Sequence, residues 1–169
     1  MIYYFIALIV LALDHLTKWL VVTNMKIGES RSVIGEFFQF TSHRNKGAAF
    51  GILQNQRWFF LIITTVVVIG IIIYMRKVLR ENKKLMPFAL SLLLGGAVGN
   101  FIDRALTGEV VDFLDFTFSF NWFGQAIIYP FPIFNIADSA IVIGVSLILL
   151  DSLLEWRKEK KGKIDEVQQ

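Results

Sequence analysis

Apolar residues run for membrane-crossing lengths four times along this 169-residue chain, over residues 2–22, 58–75, 85–105 and 133–156. A helix rising about 1.5 Å per residue needs about 17–25 residues to cross a hydrocarbon core of roughly 30 Å, and each run supplies that length. The second run is rich in β-branched residues, but its length favours a helix over a strand. Residues 23–57 and 106–132 break the pattern and are polar and aromatic. Within the first of these, residues 33–41 have strand character, with Phe38 and Phe40 on one side. Within the second, Phe116-Thr117-Phe118-Ser119-Phe120 alternates as a half-buried strand does. Pro130 and Pro132 mark the turn into the fourth span. The pattern predicts one integral membrane domain over residues 1–169, an all-α membrane protein of four transmembrane helices with a small β-rich outer part.

Composition agrees with that reading. Hydrophobic residues make up 55% of the chain, and the mean hydropathy is +0.58. The net charge of +3 does not point to nucleic acid, because the basic residues do not form one face. Five of the 17 Lys and Arg residues lie in 76–84 and five more in 157–163, each flanking an apolar span. Such runs mark cytoplasmic segments. Counting crossings then places both termini, the loop 76–84 and the tail 157–169 in the cytoplasm, and 23–57 and 106–132 outside. The first span lacks a basic leader and a small-residue cleavage site, so it reads as a retained helix. With no cysteine, thiol catalysis, disulfides and thiolate metal sites are excluded, and His15 and His43 alone make a poor metal site.

The same count brings several polar residues to the outer interface: Asp14 and Lys18 in span one, Asn100, Asp103 and Arg104 in span three, Asn135 and Asp138 at the start of span four. An ionisable group at membrane depth costs about 2.5–3.5 kcal/mol or more, so this convergence calls for a function. Two carboxylates sharing a proton can hydrolyse an amide, one acting as base on water and the other as acid. Such a pair is expected to be singly protonated near neutral pH, because burial and a neighbouring charge both raise a carboxyl pKa. Composition does not choose the pair among Asp14, Asp103, Asp112, Asp115 and Asp138. Structural readings compete at each position. Asn135-x-x-Asp138 is also a helix-capping pattern, and Asp14 with Lys18 an i, i+4 ion pair. Arg104 suits an interfacial anchor, and Asp112 and Asp115 suit turns. Gly95-x-x-x-Gly99 suits close helix packing, and Asp151 and Glu155 suit water near the cytoplasmic end. A Ser–Lys dyad of Ser42 or Ser139 with Lys18 is a weaker reading, since nothing local activates either serine.

Five stretches in order resemble the lipoprotein signal peptidases, or signal peptidase II. They are Asp14-His15-Leu16-Thr17-Lys18, the 45–51 stretch beginning Asn45-Lys46-Gly47, Gly99-Asn100-Phe101-Ile102-Asp103-Arg104, Val110-Val111-Asp112-Phe113, and Phe134-Asn135-Ile136-Ala137-Asp138-Ser139. The resemblance implies an intramembrane aspartic endopeptidase of the bacterial cytoplasmic (inner) membrane. Such an enzyme removes signal peptides from diacylglyceryl-modified prolipoproteins, cutting just before the lipid-modified cysteine, without metal or other cofactor. It assigns the catalytic pair to Asp112 and Asp138, substrate contacts to Asn45, Asn100, Arg104 and Asn135, and structural support to Asp14, Lys18 and Asp103. The aromatic outer segments then correspond to a β-cradle and a lid loop, and the chain acts as a monomer with membrane lipid wedged against its outer loops. The alternative is a small proton-coupled transporter, which intramembrane Asp, Asn and Arg also suit. It fits less well, since the chain shows no internal repeat.

Overall fold

The structure, a computed structural model, describes residues 1–47, 52–81 and 83–167; of the stretch resembling a family motif at 45–51, residues 48–51 lie outside the described residues. In chain order the elements are α1 (Ile2–Asn24), β1 (Ser30–Ile34), β2 (Phe38–Asn45), α2 (Arg57–Val78), α3 (Leu85–Leu106), β3 (Val110–Trp122), β4 (Gln125–Pro130) and α4 (Ile136–Val167). Among the described residues, four helices are long and apolar enough to cross a membrane. The β-branched run of α2 is helical because an isolated helix satisfies its own backbone in hydrocarbon, which a lone strand does not do.

Helix α3 is the hub, packed against α1, α2 and α4. Small residues make this possible. A Cβ at Gly95 would lie 2.6 Å from the Ala7 carbonyl oxygen, and one at Gly96 would strike the carbonyl oxygen of Ala137. At Gly99 it would lie 2.6 Å from Oδ2 of Asp14. The glycine pattern is therefore a packing device, and Gly99 makes room for a carboxylate rather than for backbone. Away from this polar end, Ala7, Ile71, Met75, Val78, Met86, Leu90 and Leu94 form a core joining α1, α2 and α3. Helix α2 leaves Trp58, Phe59, Ile62, Ile63 and Val66 exposed, the face a lipid-immersed helix would have.

The strands form one antiparallel sheet in the order β1-β2-β3-β4. The single stretch expected at 33–41 is in fact a hairpin turning at Gly35, and the expected strand at 116–120 is the middle of a longer β3. Between β3 and β4 the chain turns on Phe123 and Gly124, both at positive φ, the geometry of a two-residue hairpin. One link outside the strands positions the site. Phe113 and Leu114 donate N–H groups to the Phe134 carbonyl, and Phe134 N–H returns one to Leu114 O. Stacking of Phe116 on Phe38 and Phe134, at 4.5 and 5.8 Å between centroids, reinforces it. The segment entering α4 is thereby fastened to the strand that carries Asp112.

Three expectations change. The turn reaches to Asn135, so α4 begins at Ile136, and the expected tail continues as helix to Val167. Asp112 and Asp115 lie in β3 rather than in a turn, and Thr41 donates to Asp115 Oδ2 at 2.6 Å. Asp151, expected in water, is only 9% exposed. It continues the face of α4 on which Gly144 meets Ala89 and Ile148 meets the core, because 144, 148 and 151 follow helical spacing. Glu155, one turn on, stays partly exposed and pairs with Lys83 at 2.6 Å.

Replacing Gly96 by Ala should lower stability by about 1–3 kcal/mol, since the methyl must displace backbone. Gly70→Ala, where a Cβ meets nothing within 4 Å, should be neutral or stabilising by up to about 1 kcal/mol. Thermal unfolding of the two variants in one detergent compares them directly.

Candidate active site

Asp112 reaches the site from β3, and its burial is almost complete at 1% exposure. On the paired strand Asn45 sits opposite Val110, so Asn45 and Asp112 are diagonal neighbours on one sheet face. Asn45 Nδ2 donates to Asp112 Oδ2 at 2.9 Å, and Asn135 Nδ2 donates to Oδ1 at 2.7 Å.

Asp138 arrives from the first turn of α4. Asn135 caps that helix: its Oδ1 accepts from Asp138 N–H at 2.9 Å, while Asp138 Oδ2 accepts from Asn135 N–H at 3.2 Å. This reciprocal cap is the arrangement of a capping box. The other oxygen, Oδ1, accepts from Asn100 Nδ2 at 2.7 Å. The capping and site readings of Asn135-x-x-Asp138 are thus one arrangement, and Asn135 touches both carboxylates. Each of the four carboxylate oxygens meets one N–H donor.

Behind the pair lies a buried charged cluster. Lys18 Nζ is 2.7 Å from Asp14 Oδ2, 2.8 Å from Asp103 Oδ2 and 3.0 Å from Asn100 Oδ1. Asp14 Oδ1 accepts from Ala137 N–H at 2.9 Å, so a carboxylate of α1 satisfies an otherwise orphaned donor at the start of α4. Lys18 is fully engaged here. Ser42 and Ser139 are not among its partners; Ser139 Oγ donates to Asn135 O instead.

Asn45, Asn100, Arg104, Asp112 and Asp138 line one cavity of about 470 Å³. Its remaining wall is largely apolar, including Phe131, Ile133, Ile141, Val142 and Ile143. Asn135 is buried behind this wall, and Asp14, Lys18 and Asp103 stand outside it. Arg104 donates to the Gly47 carbonyl at 2.8 Å and lies over the Phe60 ring, 4.6 Å from its centroid. Burial, and then the charge of Asp138, push the Asp112 carboxyl up to about 7, against the pull of Asn45, Asn135 and Lys18. One carboxyl that holds its proton near neutrality beside another is the electrostatic setting of an acid–base pair.

A family model described as Signal peptidase (SPase) II matches residues 6–154. The chain belongs to the signal peptidase II family. It is 54% identical over 158 residues to a lipoprotein signal peptidase of Brevibacillus brevis, covering 94% of this chain and 99% of that one. It is 50% identical over 161 residues to one from Bacillus subtilis, covering 95% and 99%. Two solved structures described as bacterial membrane enzymes share its fold, each at 47% identity. Their TM-scores are 0.78 and 0.74, with 90% and 89% of this chain covered and 88% and 92% of theirs. The Brevibacillus and Bacillus relatives are peptidases by name, and nothing in these likenesses supports the transport alternative. Membership together with four apolar helices makes the chain a multi-pass membrane peptidase.

Of the nine residues assigned by the resemblance, five line the cavity and four, Asn135, Asp14, Lys18 and Asp103, form the network behind it, whereas Asp115 is held by Thr41 on the sheet. Three contributors were not foreseen: the Gly47 carbonyl, the Phe60 ring and the Ala137 amide. A carbonyl, an aromatic ring and a backbone N–H carry no side-chain signal that would set them apart in a sequence.

Because the Asp112 carboxyl binds its proton more tightly folded than unfolded, it stabilises the fold most at low pH. The stability of the wild type relative to Asp112→Asn should fall as pH rises from the ordinary 3.8 through about 7, and level off above. Denaturant unfolding of both proteins across that range measures the difference; a difference that grows with pH contradicts the assignment.

Proposed function

We propose that this protein is an intramembrane aspartic endopeptidase that removes the signal peptide from diacylglyceryl-modified prolipoproteins, cutting just before the modified cysteine. The observation that carries the proposal is the meeting of two carboxylates from distant segments, Asp112 and Asp138, on one cavity with a largely apolar wall. In this reading the ionised carboxylate takes a proton from water, whose oxygen attacks the scissile carbonyl carbon. The protonated partner gives its proton to the carbonyl oxygen. The gem-diol intermediate then collapses with cleavage of the C–N bond: the carboxyl that took the water proton gives it to the leaving nitrogen, and a hydroxyl proton of the intermediate returns to the other carboxylate, which restores one proton on the pair. The pair thus needs one proton between its two members, in keeping with an Asp112 carboxyl raised to about 7.

Asn45, Asn100 and Asn135 hold the pair; Asn45, Asn100 and Arg104, which line the cavity, offer polar contacts for the substrate backbone, whereas Asn135, expected to touch substrate, is buried behind the wall. The apolar wall takes the acyl chains, each buried methylene contributing about 0.8 kcal/mol. We place the protein in the bacterial inner membrane as a single domain and a monomer, with both termini cytoplasmic. The pair then lies near the outer face, where water arrives from outside and an acylated peptide arrives sideways from the bilayer. The sheet forms the cradle and outer cover, edged by membrane lipid.

Purified protein should cleave a diacylglyceryl-modified prolipoprotein before the modified cysteine, with or without chelator. Asp112→Asn and Asp138→Asn should each lower turnover by about 10³-fold or more while remaining folded. Folded wild-type protein that leaves every modified substrate uncut contradicts the proposal, as does turnover retained by either variant.

A further inference from the structure

Lys18 lies outside the cavity, yet it is 4% exposed and touches the amide that holds Asp138. Its charge is already matched by Asp14 and Asp103, so the third contact, to Asn100, is not needed for neutralisation. That contact decides which way the amide faces. Asn100 Oδ1 accepts from Lys18 at 3.0 Å and from Asn135 Nδ2 at 3.2 Å, which leaves Nδ2 to face Asp138 Oδ1 at 2.7 Å. Turned over, the amide would aim N–H groups at an ammonium and set its oxygen against a carboxylate. Two favourable contacts to charged groups would become repulsive. The order continues through Asn135. Its Oδ1 is held by Asp138 N–H, so its Nδ2 faces Asn100 Oδ1 and Asp112 Oδ1.

We propose that Lys18 is a positioning residue for the hydrolysis: by fixing the direction of the Asn100 amide, it keeps N–H donors on both carboxylates and leaves their shared proton on the cavity side. The inference rests on the reading of Asp112 and Asp138 as the catalytic pair. Lys18 contacts Asp14 of α1 and Asp103 of α3, its charge reaches Asp112 of β3, and Asn100 links it to Asp138 of α4; His15 stands beside Asp14, and Arg104 acts on Asp103, Asp112 and Asp138. Lys18 supplies positive charge that favours the ionised form of Asp112, and its removal makes Asp112 harder to ionise.

The test measures kcat, KM and the pH–rate profile of Lys18→Met and Lys18→Arg with a lipid-modified prolipoprotein, alongside thermal unfolding. Lys18→Met should lower kcat roughly 30-fold or more with KM within about twofold, since Lys18 does not line the cavity. Its pH–rate profile should move to higher pH. Lys18→Arg keeps the charge, but its planar fork does not place three donors at one point. It should keep the pH profile in place and still lose about tenfold or more in kcat. Wild-type kcat in either folded variant overturns the inference, even with a lowered melting temperature, because Lys18 would then serve stability alone. If Lys18→Met does not fold, Lys18→Arg decides by the same criterion. Loss of the catalytic-pair reading is told apart by turnover surviving in Asp112→Asn or Asp138→Asn.

Discussion

A carboxyl group with 1% of its surface exposed has almost no water to solvate its charge, and the rest of the site is arranged around that cost at Asp112. Burial alone can move a carboxyl pKa up by about 3–5 units, enough to leave it mostly protonated at neutral pH and a poor supply of the ionised base. Two asparagine amides and a buried lysine oppose burial and the Asp138 charge, and the balance falls near neutrality. Without the amides the group would hold its proton too tightly. In open water it would not hold one at all.

The balance requires segments far apart in the chain to meet closely. Asp112 and Asp138 are brought together by backbone pairing of Phe113 and Leu114 with Phe134, and by the Phe38–Phe116–Phe134 stack. Glycines on α3 let α1 and α4 approach until the Asp14 carboxylate reaches the Ala137 amide. Asn135 serves both purposes, capping α4 and holding both carboxylates. Helix capping, helix packing and chemistry share the same few atoms here, so substitutions in this cluster act on stability and turnover together.

The four spans were legible because hydrocarbon demands long apolar helices, and the polar residues stood out against them. The convergence of seven side chains followed from counting crossings, and the family motifs added Asn45 and Asp112. Element ends were less clear. The start of α4 depends on where Phe134 is fastened to β3, a pairing with no local signature, and the helical continuation to Val167 is hidden in a charged tail. Asp151 was misplaced because its charge outweighed its position on the packed face of α4. Spacing alone did not pair Asp112 with Asp138, since their approach is a tertiary contact; the family motifs singled them out. Lys18 and Asp14 were legible as an ion pair, but the links to Asn100 and Ala137 that connect that pair to the site were not.

The proposed hydrolysis requires Asp112 and Asp138 to hold one proton between them near neutral pH. Isotope-edited infrared spectroscopy on protein with labelled aspartate carboxyls, titrated from about pH 5 to about pH 9, reads protonated carboxyls directly. A shared proton gives one protonated-carboxyl band at neutral pH that belongs to the pair and is altered by substituting either residue. A spectrum in which both carboxyls are fully ionised at neutral pH, or in which the band is indifferent to both substitutions, would contradict it.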